Sequence, residues 1–412
     1  MEPIGRDMKV ALITSSMGIN GVSQFILNLG QSLLAYGHDV TVVTTEQQKD
    51  WWGRLTEVGL GSVHIPMRYW DSRVQHGLSV ARFLSRQRFD AIISNLGSTN
   101  WAGHQCLHFL PDHMVTMLAL HGDRPLVYAG ARSSRDVWNL AVAVSPLVRQ
   151  NVAARIPEKQ VNLIPYGIHC PSDAELSNRT DWGTPIRLLY VGQLLNKYKG
   201  IFLLPRIVRG CLEQGQAVML TVIGDGLDRL ELEKLFAAEG VEHLVIMAGK
   251  LPNKEVYQAM QSHHLLLTPS WVEGFPLVLL EAQANGCVPV ASLLPGITEV
   301  SIANGESGLL SPPGDSAAFV RQIVALADPM NWRSFSQAGI VRARTLFSVE
   351  TMGERYHTLL QEMADGAFPL AQPRSRRLAR LLRNFSWRSI VPSGPLADAH
   401  RLRSYFSVTS LG

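Results

Sequence analysis

Cysteine, charge and long apolar runs are all scarce in this chain of 412 residues. The four cysteines, Cys106, Cys170, Cys211 and Cys287, stand far apart with no C-x-x-C pair. That argues for a reducing compartment and free, mostly buried thiols rather than a disulfide framework. The opening segment MEPIGRDMKVALITSS is polar until Val10 and then apolar for only a few residues, too short for a signal h-region or a membrane span. The chain therefore reads as cytoplasmic. Charged residues make up only 17% against 46% hydrophobic, with 34 Gly and 22 Pro, a composition of folded and not disordered chains.

The net charge of +4 conceals an asymmetry: the 46 residues from Ala367 to Gly412 hold eight Arg, no Lys and one Asp, a balance of +7. The main body is mildly acidic, which excludes nucleic acid as its partner. In the tail, 373–390 sets Leu378, Leu381, Leu382 and Phe385 against Arg376, Arg377, Arg380 and Arg383. One reading is an interfacial helix meeting an anionic membrane surface; the other is a disordered or oligomer-contacting extension.

The length predicts two domains with a ligand cleft between them. Strand, glycine turn, helix and strand follow one another in VALITSSM (10–17), GINGV (18–22), the helix-period segment 23–37 and DVTVVTT (39–45), a βαβ unit. Further strands are expected at 62–66, 90–96, 115–121 and 140–145, with helices at 78–88 and 146–155. After a polar Pro/Gly-rich stretch at 164–185 the alternation restarts, with strands at 187–192, 218–226, 244–249, 265–270 and 288–292. Helices are expected at 201–214, 227–239, 253–262 and 276–285. Near-continuous apolar strands mean parallel sheets covered on both faces. The expected division is an acceptor-side domain 1–170, a nucleotide-sugar domain 171–346, a closing helix 347–366 packing back toward the first domain, and the basic tail 367–412.

The stretch SWVEGFPLVLLEAQANGCVPVAS (270–292) keeps a carboxylate at each end of an apolar run, Glu273 and Glu281. Pro276 suits a first helical residue and Ala284-Asn285-Gly286 a left-handed stop. Eight residues at helical rise span about 12 Å, close to the length of a nucleotide diphosphate sugar. Two acids would then accept hydroxyls at either tip while the helix N-terminus seats the diphosphate. The plainer alternative is a dipole partner and a solvated helix face.

The pattern E-G-F-P-L-V-L-L-E-A-x-A-x-G-x-P-V resembles the E-x7-E signature of retaining, family-4-type glycosyltransferases, and the resemblance runs to about residue 363. GVSQFILNLGQSLLAYGHDVTVVT looks like that family's opening loop, helix and strand, LALHG (118–122) like its donor-site histidine strand, and VNLIPYGIHCP (161–171) like its hinge. LLYVGQLLNKYKGIFLL (188–204) and VIGDGLDRLELEKL (222–235) resemble its lysine segment and its G-x-G turn. The resemblance implies two Rossmann-like doubly wound α/β domains facing across a cleft, the glycosyltransferase B fold, metal-independent and without a cofactor. The implied donor is a nucleotide diphosphate sugar and the implied acceptor a hydroxyl of a glycan or lipid-linked molecule. By position, Lys199 would neutralise the departing diphosphate, Glu281 would hold the ribose, and Glu273 with Gly274, Phe275, Pro276 and Leu277 would hold the sugar. Gly21 and Gly224 would let backbone approach the donor, and His121 would line the sugar. The donor phosphate itself would act as base.

The chain departs from that pattern at Gln193, where the family usually has an arginine paired with the lysine on the diphosphate, so a charge and a bidentate fork are absent; Lys197 is the neighbour placed to substitute. Tyr166 and His169 replace a hinge Asn and Asp, and Pro295-Gly296 replaces a Gly-Gly near the donor. Each candidate has a structural alternative: a solvated Lys199, a satisfied His121, ordinary βα turns at Gly21, Gly224 and Gly226. HQCLH (104–108) lacks a convincing further ligand for zinc, His263-His264 reads as a turn, and Asp225 and Asp228 read as caps. A sugar-nucleotide epimerase or hydrolase, or a non-catalytic binding subunit, would share this scaffold. The base contact near Lys250 and Leu251, and the aromatic loops 49–55 and 67–73, leave nucleotide, sugar and acceptor open.

Overall fold

The computed structural model describes residues 7–18, 21–46, 52–69, 71–96, 101–177, 179–368 and 373. The amphipathic part of the basic tail, and Lys49, Asp50, Trp51 and Trp70 of the aromatic loops, lie outside the described residues.

Thirteen strands among the described residues form two all-parallel sheets. The first comprises β1 (Lys9–Thr14), β2 (Asp39–Thr44), β3 (Gly61–His64), β4 (Ala91–Leu96), β5 (Val115–Leu120), β6 (Leu140–Ala143) and β7 (Val161–Leu163), in the order 3-2-1-4-5-6-7. The second comprises β8 (Ile186–Val191), β9 (Val218–Ile223), β10 (Val245–Gly249), β11 (Leu265–Thr268), β12 (Val288–Ser292) and β13 (Leu309–Ser311), in the order 10-9-8-11-12-13. Every residue of β5 and of β12 is buried, as strands covered by helices on both faces require. Each sheet reverses its winding once, between β1 and β4 and between β8 and β11, the places where open α/β sheets take ligands beyond their carboxyl ends.

Two compact units carry these sheets. The chain enters the second at Pro165 and leaves it at Gly353, with Ser145–Leu147 also counted there; the sequence pattern suggested 171 and 347. The hinge stretch belongs to the second unit because its side chains pack there. Tyr166 meets Phe275 edge-on at 5.6 Å, and the Ile168 N–H donates to Phe347 O at 2.8 Å. The strand β7 and the short helices Trp101–Leu107, Pro125–Ser133 and Asp173–Leu176 have no counterpart in the sequence reading, being too short to show a period.

From Gly353 the helix Val349–Ala364 belongs to the first unit. A Cβ on Gly353 would lie 1.6 Å from Ser32 Oγ, so only glycine lets this helix approach Gly21–Ala35. One turn on, His38 Nε2 and His357 Nδ1 are 2.9 Å apart, and Tyr36 stacks on His357 at 4.6 Å. The Met8 N–H donates to His38 Nδ1 at 3.2 Å, so neutral His38 carries its proton on Nε2 and gives it to His357. Among the described residues no helix is long and apolar enough to cross a membrane.

Burial holds His38 and His357 below the ordinary histidine value, His38 also through His357, and it lowers His104 and His264 to about 4. Groups with a depressed folded pKa bind fewer protons folded than unfolded, so the stability these histidines contribute is complete above about 6.5 and falls as pH drops toward 4. Urea unfolding midpoints should decline steadily across that interval; a flat profile would show that these rings are not held neutral.

Candidate functional site

The candidate site residues of the second unit hang from the carboxyl ends of β8, β9 and β11, three neighbouring strands. Three glycines allow the loops after them to touch. Gly224, at φ 142°, would place a Cβ 1.8 Å from Gly192 O, and Gly226 would place one 2.2 Å from Leu194 O. Gly200, in the left-handed region at φ 60°, would place a Cβ 2.0 Å from Pro269 O. Hydrogen bonds close the seams: Leu194 N–H to Asp225 O at 3.0 Å, Asp228 N–H to Leu194 O at 3.1 Å, and Trp271 N–H to Tyr198 O at 2.8 Å.

Asp228 departs from its expected role. It occupies the cap position of the helix Arg229–Ala238 but makes no side-chain cap bond there. Instead its Oδ2 accepts the N–H of Asn196, the first residue of the neighbouring helix Asn196–Lys199, at 2.6 Å. Asp225 Oδ1 accepts its neighbour Gly226 N–H.

These contacts put the short helix Asn196–Lys199 beside the loop after β11. Lys199 Nζ lies 2.6 Å from Glu273 Oε1, with side chains 29% and 8% exposed. Ser270 Oγ donates to the same oxygen at 2.7 Å. Gly274 to Pro276 lead from Glu273 into the helix Leu277–Ala284. Phe275 is buried against Tyr166 and Phe347. The helix does not start at Pro276 as the proline alone suggested: Pro276 has ψ 92°, outside the helical range, and caps the helix by accepting the Leu279 N–H at 3.1 Å. The left-handed stop is present, with Gly286 at φ 78°, Cys287 N–H on Ala282 O at 2.9 Å and Gly286 N–H on Gln283 O at 3.0 Å.

Glu281 stands apart from the ion pair. Its Oε1 accepts the Tyr257 hydroxyl at 3.3 Å. Burial raises its carboxyl to about 7, a shift that the Tyr257 hydrogen bond opposes. Tyr257, from the helix Asn253–Ser262, is itself raised by burial and by the Glu281 charge. Sequence reasoning missed it, since nothing local links residues 24 positions apart. It also missed Ser270 and Tyr190, whose hydroxyl donates to Gln193 O at 3.0 Å. Gln193 is exposed, and Lys197 rests over the Tyr198 ring at 5.7 Å.

Gly21 and His121 belong to the first unit. Gly21 is the first residue of the helix Gly21–Ala35, not part of the turn. His121 follows β5, 3.0 Å from Asn95 Oδ1. Asn95 Nδ2 donates to Ile13 O at 3.2 Å, so Oδ1 is the acceptor and His121 carries its proton on Nε2. Burial lowers His121 to about 3, and Phe25 meets its ring edge-on at 4.9 Å. In HQCLH the Cys106 thiol donates to Gly103 O, and among the described residues no three His, Cys, Asp or Glu side chains gather as metal ligands. His264 is a packed connection rather than a free turn, its Nδ1 accepting the Arg187 N–H at 3.0 Å.

Residues 19–170 match the family described as "Glycosyltransferase Family 4" and residues 173–334 the one described as "Glycosyl transferases group 1". The amylovoran biosynthesis glycosyltransferase AmsK of Erwinia amylovora is 30% identical over 182 residues, 43% of this chain and 44% of AmsK. The chain spans less than half the length of the first curated relatives it matches. A glycosyltransferase crystal structure from Rickettsia africae superposes with a TM-score of 0.73 at 13% identity, covering 87% of this chain and 99% of that one. Anabaena HepE in complex with UDP-glucose superposes at 0.69 and 16% identity, covering 86% and 99%. These likenesses show the glycosyltransferase B fold.

The seam at Gly224 predicts a graded result. Gly224→Ala adds a collision to an unfavourable φ and should cost about 2–4 kcal/mol in urea unfolding. Gly215→Ala, at φ 73° with nothing within 4 Å, should cost only the backbone strain of about 1–2 kcal/mol. Equal costs would mean that the loops are not interlocked.

Proposed function

The chain belongs to the family-4-type glycosyltransferases, and from that membership and the geometry of its second unit we propose that it moves a sugar from a nucleotide diphosphate sugar to a hydroxyl of a glycan or lipid-linked acceptor, with retention and without a metal, in polysaccharide or glycolipid biosynthesis. The observation that carries this reading is the contact of Lys199 with Glu273 at 2.6 Å, at the carboxyl ends of β8 and β11 where the sheet reverses.

Each member of the pair suits one part of the donor. The Lys199 ammonium is a compact charge for the diphosphate, where negative charge grows as the glycosidic bond breaks. The Glu273 carboxylate, with Oε1 already held by Ser270 and Lys199, keeps acceptor capacity on Oε2 for sugar hydroxyls. Without donor the two charges satisfy one another; with donor, the diphosphate gives Lys199 a second anion. Glu281, with a carboxyl near 7, takes the ribose hydroxyls, and Tyr257 fixes its orientation. The donor phosphate serves as base for the incoming hydroxyl, so no further carboxylate is needed. Support for a nucleotide sugar comes from the complex of HepE with UDP-glucose, and for a glycan acceptor from the name of AmsK. The cytoplasmic setting, with the tail at an anionic membrane surface, is part of the same proposal.

Calorimetry against a panel of nucleotide sugars, followed by transfer assays with the one that binds, tests the reading; no heat from any donor would overturn it. Lys199→Ala should lower transfer by about 10²-fold, the loss typical of one charge-stabilising group. Glu273→Gln should lower transfer comparably, yet bind the free nucleoside diphosphate as well as or better than the parent, because Lys199 is released. Donor KM should rise as pH falls below about 7, since protonation removes an acceptor from Glu281, and Tyr257→Phe should shift that rise to higher pH.

A further inference from the structure

The first unit holds a polar cavity of about 810 Å³ that the proposed reaction does not use. Its walls are the helices Pro125–Ser133 and Pro146–Arg155 with the loop after β5, and its polar groups come from Asp123, Tyr128, Arg132, Arg135, Asn151 and Arg155. The Asp123 carboxylate is already engaged, with the Tyr128 hydroxyl and the Asn151 amide both donating to Oδ1, the latter at 3.2 Å.

The guanidinium groups are not engaged to the same degree. Arg155 lies over the Tyr128 ring, 4.6 Å from its centroid. Its Nη1 is anchored on Asn151 O at 2.6 Å and Oδ1 at 3.1 Å, and among the described residues Nε and Nη2 have no hydrogen-bond partner. Arg132 makes no side-chain hydrogen bond or ion pair among the described residues and is exposed. Arg135 has only long pairs through Nε, 3.6 Å to Glu158 and 4.0 Å to Asp136. A stacked, singly anchored guanidinium is a fork fixed in place before any ligand arrives. Arg135 is offset by Glu158 and Asp136, but Arg132 and Arg155 make no ion pair among the described residues and stand beside a carboxylate already hydrogen-bonded, which leaves two forks for the oxygens of a phosphate.

We propose that this cavity is a phosphate-binding site, in which Arg132 and Arg155 take a phosphate monoester or a diphosphate. Asp123 ties its wall to the loop that begins at His121, so an occupant is held two residues from a candidate site residue of the same unit. The proposal does not depend on the donor site. Two sources offer the group, a soluble phosphorylated saccharide and the headgroup of a membrane lipid.

Inorganic pyrophosphate is titrated by calorimetry into the full chain carrying Lys199→Ala, which keeps the cation of the second unit out of the measurement, with and without Arg132→Ala and Arg155→Ala. Co-sedimentation with vesicles of phosphatidylcholine, alone or doped with phosphatidic acid, forms the second arm. Losing both arginines should weaken pyrophosphate binding by about tenfold or more, the loss expected for charge-assisted hydrogen bonds. A parallel loss of binding to the acidic vesicles identifies a lipid headgroup; a loss for pyrophosphate alone identifies a soluble phosphate. Arg132→Ala alone removes no hydrogen bond or ion pair among the described residues and carries the test if the double variant does not fold. Binding of both probes unchanged by the substitutions, or of neither probe by the parent, overturns the proposal.

Discussion

The contact between Lys199 and Glu273 exists because a glycine lets two loops touch. At Gly200 the backbone turns left-handed at φ 60°, and any Cβ there would fall 2.0 Å from Pro269 O. With glycine, the end of the helix Asn196–Lys199 lies flush against the loop after β11 and the ammonium meets the carboxylate. The same device recurs at Gly224 and Gly226, which close the neighbouring loops on Gly192 and Leu194. Sheet order makes all three contacts available, because β8 lies between β9 and β11 and three successive carboxyl ends therefore open side by side.

Two carboxylates a short distance apart in the chain have different surroundings. Glu273 has a cation and a hydroxyl on one oxygen, so its charge is compensated where it stands. Glu281 has only the Tyr257 hydroxyl against burial, and its carboxyl rises to about 7. Separating the environments of paired acids is how one site assigns them separate tasks. His121 follows a third course: burial keeps it neutral and the hydrogen bond to Asn95 sets its proton on Nε2, a donor and not a cation.

Much of the fold was legible because parallel strands are apolar throughout and their helices follow with a regular period. The helices Asn253–Ser262 and Pro146–Arg155 and the strand β12 fall where the pattern puts them. Short elements did not show: a three-residue strand such as β7 or a seven-residue helix such as Trp101–Leu107 offers too few turns for periodicity to separate from chance. Pro276 shows a second limit. Proline suits the first helical position, but Pro276 has ψ 92° and stands as the cap, so the helix starts one residue later.

The sequence by itself determined the alternation of strand and helix, the positions of the turn glycines, and the presence of Lys199, Glu273 and Glu281 near strand ends, since each is a matter of local composition and period. Only the tertiary structure decided that Lys199 meets Glu273 74 residues away, that Tyr257 holds Glu281, that Asp228 caps the neighbouring helix Asn196–Lys199 instead of its own, and that arginines from two helices face one cavity. These pairings follow from the spatial order of strands, which differs from their order along the chain, and no local pattern encodes which distant backbone a glycine will allow to come close.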